Sequence, residues 1–272
     1  MDCLCVGHSE RVPFVRHDLY MDEWRSIGMI LRFGFEVAGF FPVQLSKAFL
    51  MHCLFDMVPN DVLIESFLLY IPLMDSDMVT SALKANLDTI QSDDFANFLE
   101  RYICRSLVTP LNVYGTIREL AQQELIQKPY LMVSVWREIL LGLQKYKEFS
   151  CPDAVQKFYE QVKPTNRKVL KLLKANPQTK GERDSMRYFE EYIRGLDKKE
   201  LVMFVKYLTG STILNVKSIE VHFNELTGAK RHPFIRTNTP MIELPSTYCN
   251  VCELKEEFSN MLNPFFWEFD TS

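Results

Sequence analysis

KKELVMFVKYLTGSTILNVKSIEVHFN, residues 198–224, contains the change of hydrophobic period on which the fold of this chain turns. Through Tyr207 the apolar residues recur three or four positions apart, with Phe204 and Leu208 on one side, which predicts a helix over 198–207. From Ser218 the period drops to two. Ile219, Val221 and Phe223 alternate with Glu220, His222 and Asn224, the pattern of a half-buried strand. Around this switch the spacing predicts a helix over 182–193 and a short strand over 241–244 ended by Pro245. A last helix over 253–262 follows, and Pro264 precedes an aromatic run, Phe265-Phe266-Trp267. The last third of the chain therefore reads as α+β.

Working back towards the start, the period is helical throughout. Ile27, Ile30, Leu31, Gly34 and Phe35 form one stripe, closed by Pro42, and Leu45, Phe49, Leu50 and Cys53 continue on a second helix. Asn60-Asp61 is expected to cap a helix over 62–70, ended by Pro72. Further helices are expected over 76–90, 93–104, 112–127, 132–146, 154–162 and 167–173. Residues 1–20 read as an irregular arm. Asn176-Pro177-Gln178-Thr179-Lys180-Gly181 combines turn formers and a charge with no large apolar residue, the composition of an exposed hinge. The expected organisation is a helical lobe over 1–175, a hinge over 176–182 with Asn176, Pro177 and Gly181 as its turn formers, and a smaller α+β lobe over 183–272.

At 272 residues the chain is long enough for two domains, and 47% hydrophobic residues with a net charge of −4 exclude disorder as its main state. No clustered basic footprint points to nucleic acid. Seven cysteines, mostly far apart, do not make a secreted disulfide framework, and no basic-then-apolar leader follows Met1. The most apolar long window, 26–45, carries Arg32, Glu36 and Gln44, so no membrane span is expected. The expectation is an intracellular protein, cytoplasmic or nuclear. No phosphate loop, dinucleotide fingerprint or other cofactor motif is present.

Leu201-Val202-Met203-Phe204-Val205-Lys206-Tyr207-Leu208-Thr209-Gly210-Ser211 resembles a helix ending in Thr-Gly-Ser in the C-terminal lobe of HECT-type ubiquitin ligases. The strand Ile219-Glu220-Val221-His222-Phe223, then Pro233, Thr237, Leu244-Pro245 and Tyr248, continue that resemblance in order over about residues 185–272. Phe269 lies four positions from the end, where such chains place a functional phenylalanine. Upstream, Ile27-Gly28-Met29-Ile30-Leu31 and Phe41-Pro42-Val43-Gln44-Leu45-Ser46 are similar to part of the N-terminal lobe in a divergent vertebrate branch of the family. The resemblance implies a two-lobed α+β protein whose N-lobe is represented only in part. Its implied partners are ubiquitin, a ubiquitin-conjugating enzyme and a protein substrate, and it implies no cofactor.

The sequence departs from the family at the nucleophile. The family reads Thr-Cys before a Leu-Pro pair, whereas this chain reads Arg236-Thr237-Asn238-Thr239-Pro240 before Leu244-Pro245. Ligases of this type carry ubiquitin as a thioester, which needs a thiolate both to attack and to leave. The carboxamide of Asn238 delocalises its nitrogen lone pair and does neither. The resemblance thus implies a transfer-deficient relative that binds ubiquitin or its conjugating enzyme. The alternatives are an active transferase, silenced by substitution or using another cysteine, and a non-catalytic interaction module. The site residues implied are Asn238, Thr237, Arg236 and Phe269.

Other candidates carry blander readings. Cys249-Asn250-Val251-Cys252 lacks the second ligand pair of a structural zinc site, so no metal is expected. Cys249 as a replacement nucleophile is expected about 15 Å from Asn238, beyond a strand rising about 3.3 Å per residue. His222 is expected to face solvent. Lys230-Arg231-His232 reads as a solvated basic turn or a contact for an acidic partner. Asp75, Asp77, Asp93 and Asp94 read as helix-start charges.

Overall fold

The computed structural model describes residues 4–104, 106–214, 216–228, 231–237 and 239–262. The fold is α+β, with two compact units, Met1–Glu160 and Gln161–Ser272.

The first unit opens with an antiparallel pair, β1 (Cys5–Gly7) and β2 (Arg11–Pro13), where an irregular arm was expected. Cys5 and Val12 are buried, and the turn's Glu10 reaches inward to accept a 2.9 Å bond from the amide of Lys47. Gly7 makes the turn possible, because its φ of 124° suits only glycine and a side chain there would meet the Glu10 carbonyl at 2.4 Å.

Among the described residues, eight α-helices follow before the boundary. They are α1 (Met21–Ala38), α2 (Lys47–Phe55), α3 (Asn60–Tyr70), α4 (Leu73–Leu83), α5 (Leu87–Ile90), α6 (Asp93–Arg101), α7 (Val113–Gln122) and α8 (Tyr130–Leu140). A ninth, α9 (Pro152–Val162), runs across the boundary. Seven of the nine residues of α2 are buried, so it is the central helix, apolar all round as such a position demands. α1 lies on α8, where the Trp136 indole donates to the Trp24 carbonyl at 2.7 Å, and Gly28 leaves the room for that ring. The single helix expected over 76–90 is two, because Ala85 adopts a left-handed φ of 60° between α4 and α5. α3 begins at Asn60, with Pro59 and not Asn60-Asp61 in the flanking position.

The second unit is a four-stranded sheet with helices packed on it. Its elements are α10 (Asn166–Leu172), β3 (Leu173–Ala175), α11 (Lys180–Gly195), α12 (Lys198–Thr209), β4 (Ile219–Asn224), β5 (Phe234–Arg236), β6 (Met241–Pro245) and α13 (Val251–Leu262). The strand order is β3-β4-β6-β5, parallel except for the β5–β6 hairpin. The period switch expected near 210–218 is present: α12 ends at Gly210 and β4 buries Ile219 and Val221 while exposing Glu220 and His222. Phe189, Tyr192, Phe204 and Phe258 form the ring cluster at the centre of the core.

The expected hinge over 176–182 is not the boundary. The chain divides at Glu160–Gln161, and Val169 and β3, both upstream of the expected hinge, belong to the core and sheet of the second unit. Asn176 and Pro177 lie on the short connection from β3 into α11, and Gly181 is already in the first turn of α11. Its residues are held: Thr179 and Glu182 form a reciprocal cap at the start of α11, and Arg183 donates to the Gln178 carbonyl at 2.8 Å. The amides of Gln178 and Thr179 lower the Glu182 carboxyl below the usual range. At Gly181 a side chain would meet the Ser246 carbonyl at 2.6 Å, so this glycine permits close packing and not bending.

Candidate functional site

β5 and β6 pair with Arg236 opposite Met241, so the two strands form a hairpin with Thr237, Thr239 and Pro240 at its tip. Arg236, Thr237 and Thr239 are exposed there. The downstream side of the tip is fastened to the sheet by the Glu220 amide, which donates to the Pro240 carbonyl at 3.0 Å. Asn238, the expected nucleophile position, lies outside the described residues, as does Phe269.

Next to this tip stands the end of α12. Gly210 closes the helix in the left-handed region at φ 72°, and its amide donates to the Lys206 carbonyl at 2.8 Å. The Thr209 hydroxyl donates to the Val205 carbonyl at 2.8 Å and accepts from the Ser211 amide at 3.2 Å. The Ser211 hydroxyl then accepts from the Ile213 amide at 3.3 Å. These bonds fix the Thr209-Gly210-Ser211 turn without help from solvent. A Cβ placed on Gly210 would lie 3.9 Å from the Thr237 Cβ, so the two turns stand side by side. Sequence reading names both turns but does not bring them together.

The remaining candidates are dispersed. The Arg236 guanidinium lies over the Phe234 ring, 5.7 Å from its centroid, and has no carboxylate partner among the described residues. His222 is exposed on β4 and lines an open cleft of about 370 Å³ with Lys174, Glu182 and Glu220. His232 is exposed. Arg231 of the expected basic turn is not free for an acidic partner: it bonds Glu257 at 2.9 Å and Glu253 at 3.0 Å, and lies over the Tyr248 ring. Tyr248 completes that knot by donating to Glu257 at 2.6 Å, and burial followed by this carboxylate pushes its hydroxyl pKa up. No sequence pattern announces the knot, since Arg231 and its carboxylates are more than 20 positions apart.

Cys249 and Cys252 are exposed free thiols at the start of α13. The Cys249 amide donates to Glu253 at 3.0 Å, and its carbonyl accepts from the Tyr188 hydroxyl at 3.2 Å. Cys249 follows the end of β6 opposite to the hairpin tip. Among the described residues no three His, Cys, Asp or Glu side chains gather into a metal-binding cluster. Asp75 pairs with Arg101 at 2.8 Å, while Asp93 and Asp94 occupy the first turn of α6. No described helix is long and apolar enough to cross a membrane.

No protein-family model matches the chain, and no curated protein matches it at a significant level.

Proposed function

We propose that this chain is a HECT-like ubiquitin-pathway protein that engages ubiquitin or a ubiquitin-loaded conjugating enzyme without carrying the thioester itself. The observation that carries this reading is the placement of the Thr209-Gly210-Ser211 turn beside Thr237 at the hairpin tip. In the family this chain resembles, the nucleophile follows the threonine that Thr237 matches. Here the next residue is Asn238. A surface of that shape with a carboxamide in place of a thiol binds its partners and stops before acyl transfer.

A transferase working through Cys249 is the weaker reading. Five strand residues separate the tip from the segment that leads to Cys249, about 16 Å at 3.3 Å per residue. Acyl transfer tolerates misplacement of about 1 Å only with large losses of rate.

The test is a charging reaction with ubiquitin-loaded conjugating enzyme on the unmodified chain and on Asn238→Cys. The expected result is no thiol-sensitive adduct on the former and one on the latter. An adduct on the unmodified chain that is abolished by Cys249→Ser overturns the proposal in favour of an active transferase. Titration with 15N-labelled ubiquitin and with conjugating enzyme reads the binding half. Absence of shifts from either favours a plain interaction module.

A further inference from the structure

Residues 163–181 carry six basic residues, Lys163, Arg167, Lys168, Lys171, Lys174 and Lys180, and not one Asp or Glu. In the second unit this run supplies one wall of an open cleft of about 560 Å³ between α10 and α11, lined by Asn166, Arg167, Leu170, Lys171, Glu190 and Arg194. Arg167 and Lys171 are exposed one helical turn apart, and Arg194 faces them from the last turn of α11.

A solvated helix face normally intersperses charges of both signs. Elsewhere on α11 the rule holds, with Arg187 on Asp184 at 3.0 Å. In the cleft it does not. Its one carboxylate, Glu190, is taken by Arg194 at 2.7 Å, and no ion pair holds Arg167 or Lys171 among the described residues. Two like charges four positions apart repel each other, so the bare wall is less stable than one with a counter-charge seated on it.

The walls are also held in place. The Asn166 side-chain Nδ2 donates to the carbonyls of Ile193 at 2.6 Å and Leu196 at 2.9 Å, which ties the start of α10 to the end of α11. Val169, on the reverse side of α10, is fully buried in the core. The partly buried Leu170 gives the cleft an apolar floor between the cations.

We propose that this cleft docks an acidic segment of a partner protein, its carboxylates on Arg167 and Lys171 and an apolar side chain on Leu170. The Arg167 guanidinium offers a planar fork that matches a carboxylate, and Lys171 adds a mobile point charge beside it. A nucleic-acid strand fits less well. No aromatic side chain lines the cleft to stack on a base. The proposal goes beyond the ubiquitin-pathway reading and uses no residue of the hairpin tip, so either stands if the other falls.

The test applies the full chain to an array of randomised short peptides, followed by titration of the best peptide at low and high salt. Three variants accompany it: Arg167→Glu/Lys171→Glu, the milder Arg167→Gln/Lys171→Gln, and Lys198→Glu/Lys199→Glu at exposed positions of α12. The expected outcome is retention of peptides rich in Asp and Glu with an apolar residue among them, weakened by salt. Affinity is expected to fall about tenfold or more in the first variant and less in the second, and to hold within about twofold in the third. Absence of acidic enrichment overturns the proposal, as does an equal loss in the α12 variant. A mixed-sequence single-stranded oligonucleotide that binds the cleft more tightly than the best peptide overturns it in favour of nucleic acid.

Discussion

Among the described residues, the first unit buries Glu10, Ser46, Lys47, Ser66, Thr116 and Glu124, whereas the only buried polar residue of the second is Ser185. In the first unit Glu10, Lys47 and Ser66 bond across long stretches of chain. Glu10 accepts from the Lys47 amide, the Lys47 ammonium reaches Glu65 at 2.7 Å, and the Ser66 hydroxyl accepts from the Ala48 amide at 3.2 Å. Glu124, buried in the turn of wider π-helix that continues α7, pairs with Lys128 at 2.6 Å. The second unit fills its centre with stacked and tilted rings and keeps its ionic groups, such as Arg231 with Glu253 and Glu257, towards the rim. The lesson is one of what specifies each core. Directional bonds fix the register of helices that would otherwise pack in several ways, while ring shape fixes a sheet with its helices.

This contrast makes the two units vulnerable to different changes, and hydrogen exchange read by peptide mass spectrometry separates their responses. The largest effect is expected from Phe258→Ala, which empties a site within 4.9 Å of the Tyr192 ring and 5.4 Å of Phe189. A loss of about 3–5 kcal/mol is expected, confined to protection of the second unit. Equal loss in the first unit would end the idea of separately specified cores.

Glu10→Ala is expected to cost about 3 kcal/mol in the first unit, because it strands the buried Lys47 amide and leaves a cavity where the side chain was. A loss below about 1 kcal/mol would show that the buried polar network does not specify that core. Thr179→Ala removes half of the reciprocal cap on α11 and is expected to cost about 1 kcal/mol in the second unit. Urea unfolding of wild type and variant measures it.

The smallest effect sharpens the comparison through pH. Burial raises the Glu10 carboxyl above the ordinary glutamate range, against the lowering influence of Ser66 and Lys47. The folded chain therefore holds this proton where the unfolded chain has lost it. Stability from this group falls as pH rises from the ordinary glutamate range through the raised value, and returns on acidification. Glu10→Gln carries no such titration. The stability difference between wild type and Glu10→Gln is expected to move in favour of the wild type as pH falls from neutral, and a flat difference would remove Glu10 as the source.

Long elements with an unbroken period were legible in the sequence: α1, α2, α12, β4 and β6 all stand within a few residues of where periodicity puts them. The short ones were not. β1 and β3 are three residues each, too short to show alternation, and β3 continues without a break from α10. The 176–182 segment has the composition of a linker, yet its Thr-x-x-Glu spacing is also the signature of a helix start, and packing against Ser246 decides for the latter. At the candidate site the sequence marks the Thr209-Gly210-Ser211 turn and Thr237 but cannot show that they stand side by side, which the β5–β6 hairpin produces. The binding wall at Arg167 and Lys171 was hidden for the same reason: its third cation, Arg194, is supplied by another helix.

The parallel pairing of β3 with β4 has a practical consequence for dissecting the protein. The strand that covers one edge of β4 is borrowed from a stretch that precedes α11 and α12, so about 40 residues must return before that edge is closed. A fragment cut at residue 183, where composition invites the cut, leaves β4 with an open ladder of amides and carbonyls and a gap where Val169 sat. Such an edge recruits other strands and drives self-association. A fragment cut at residue 161 carries its own edge guard.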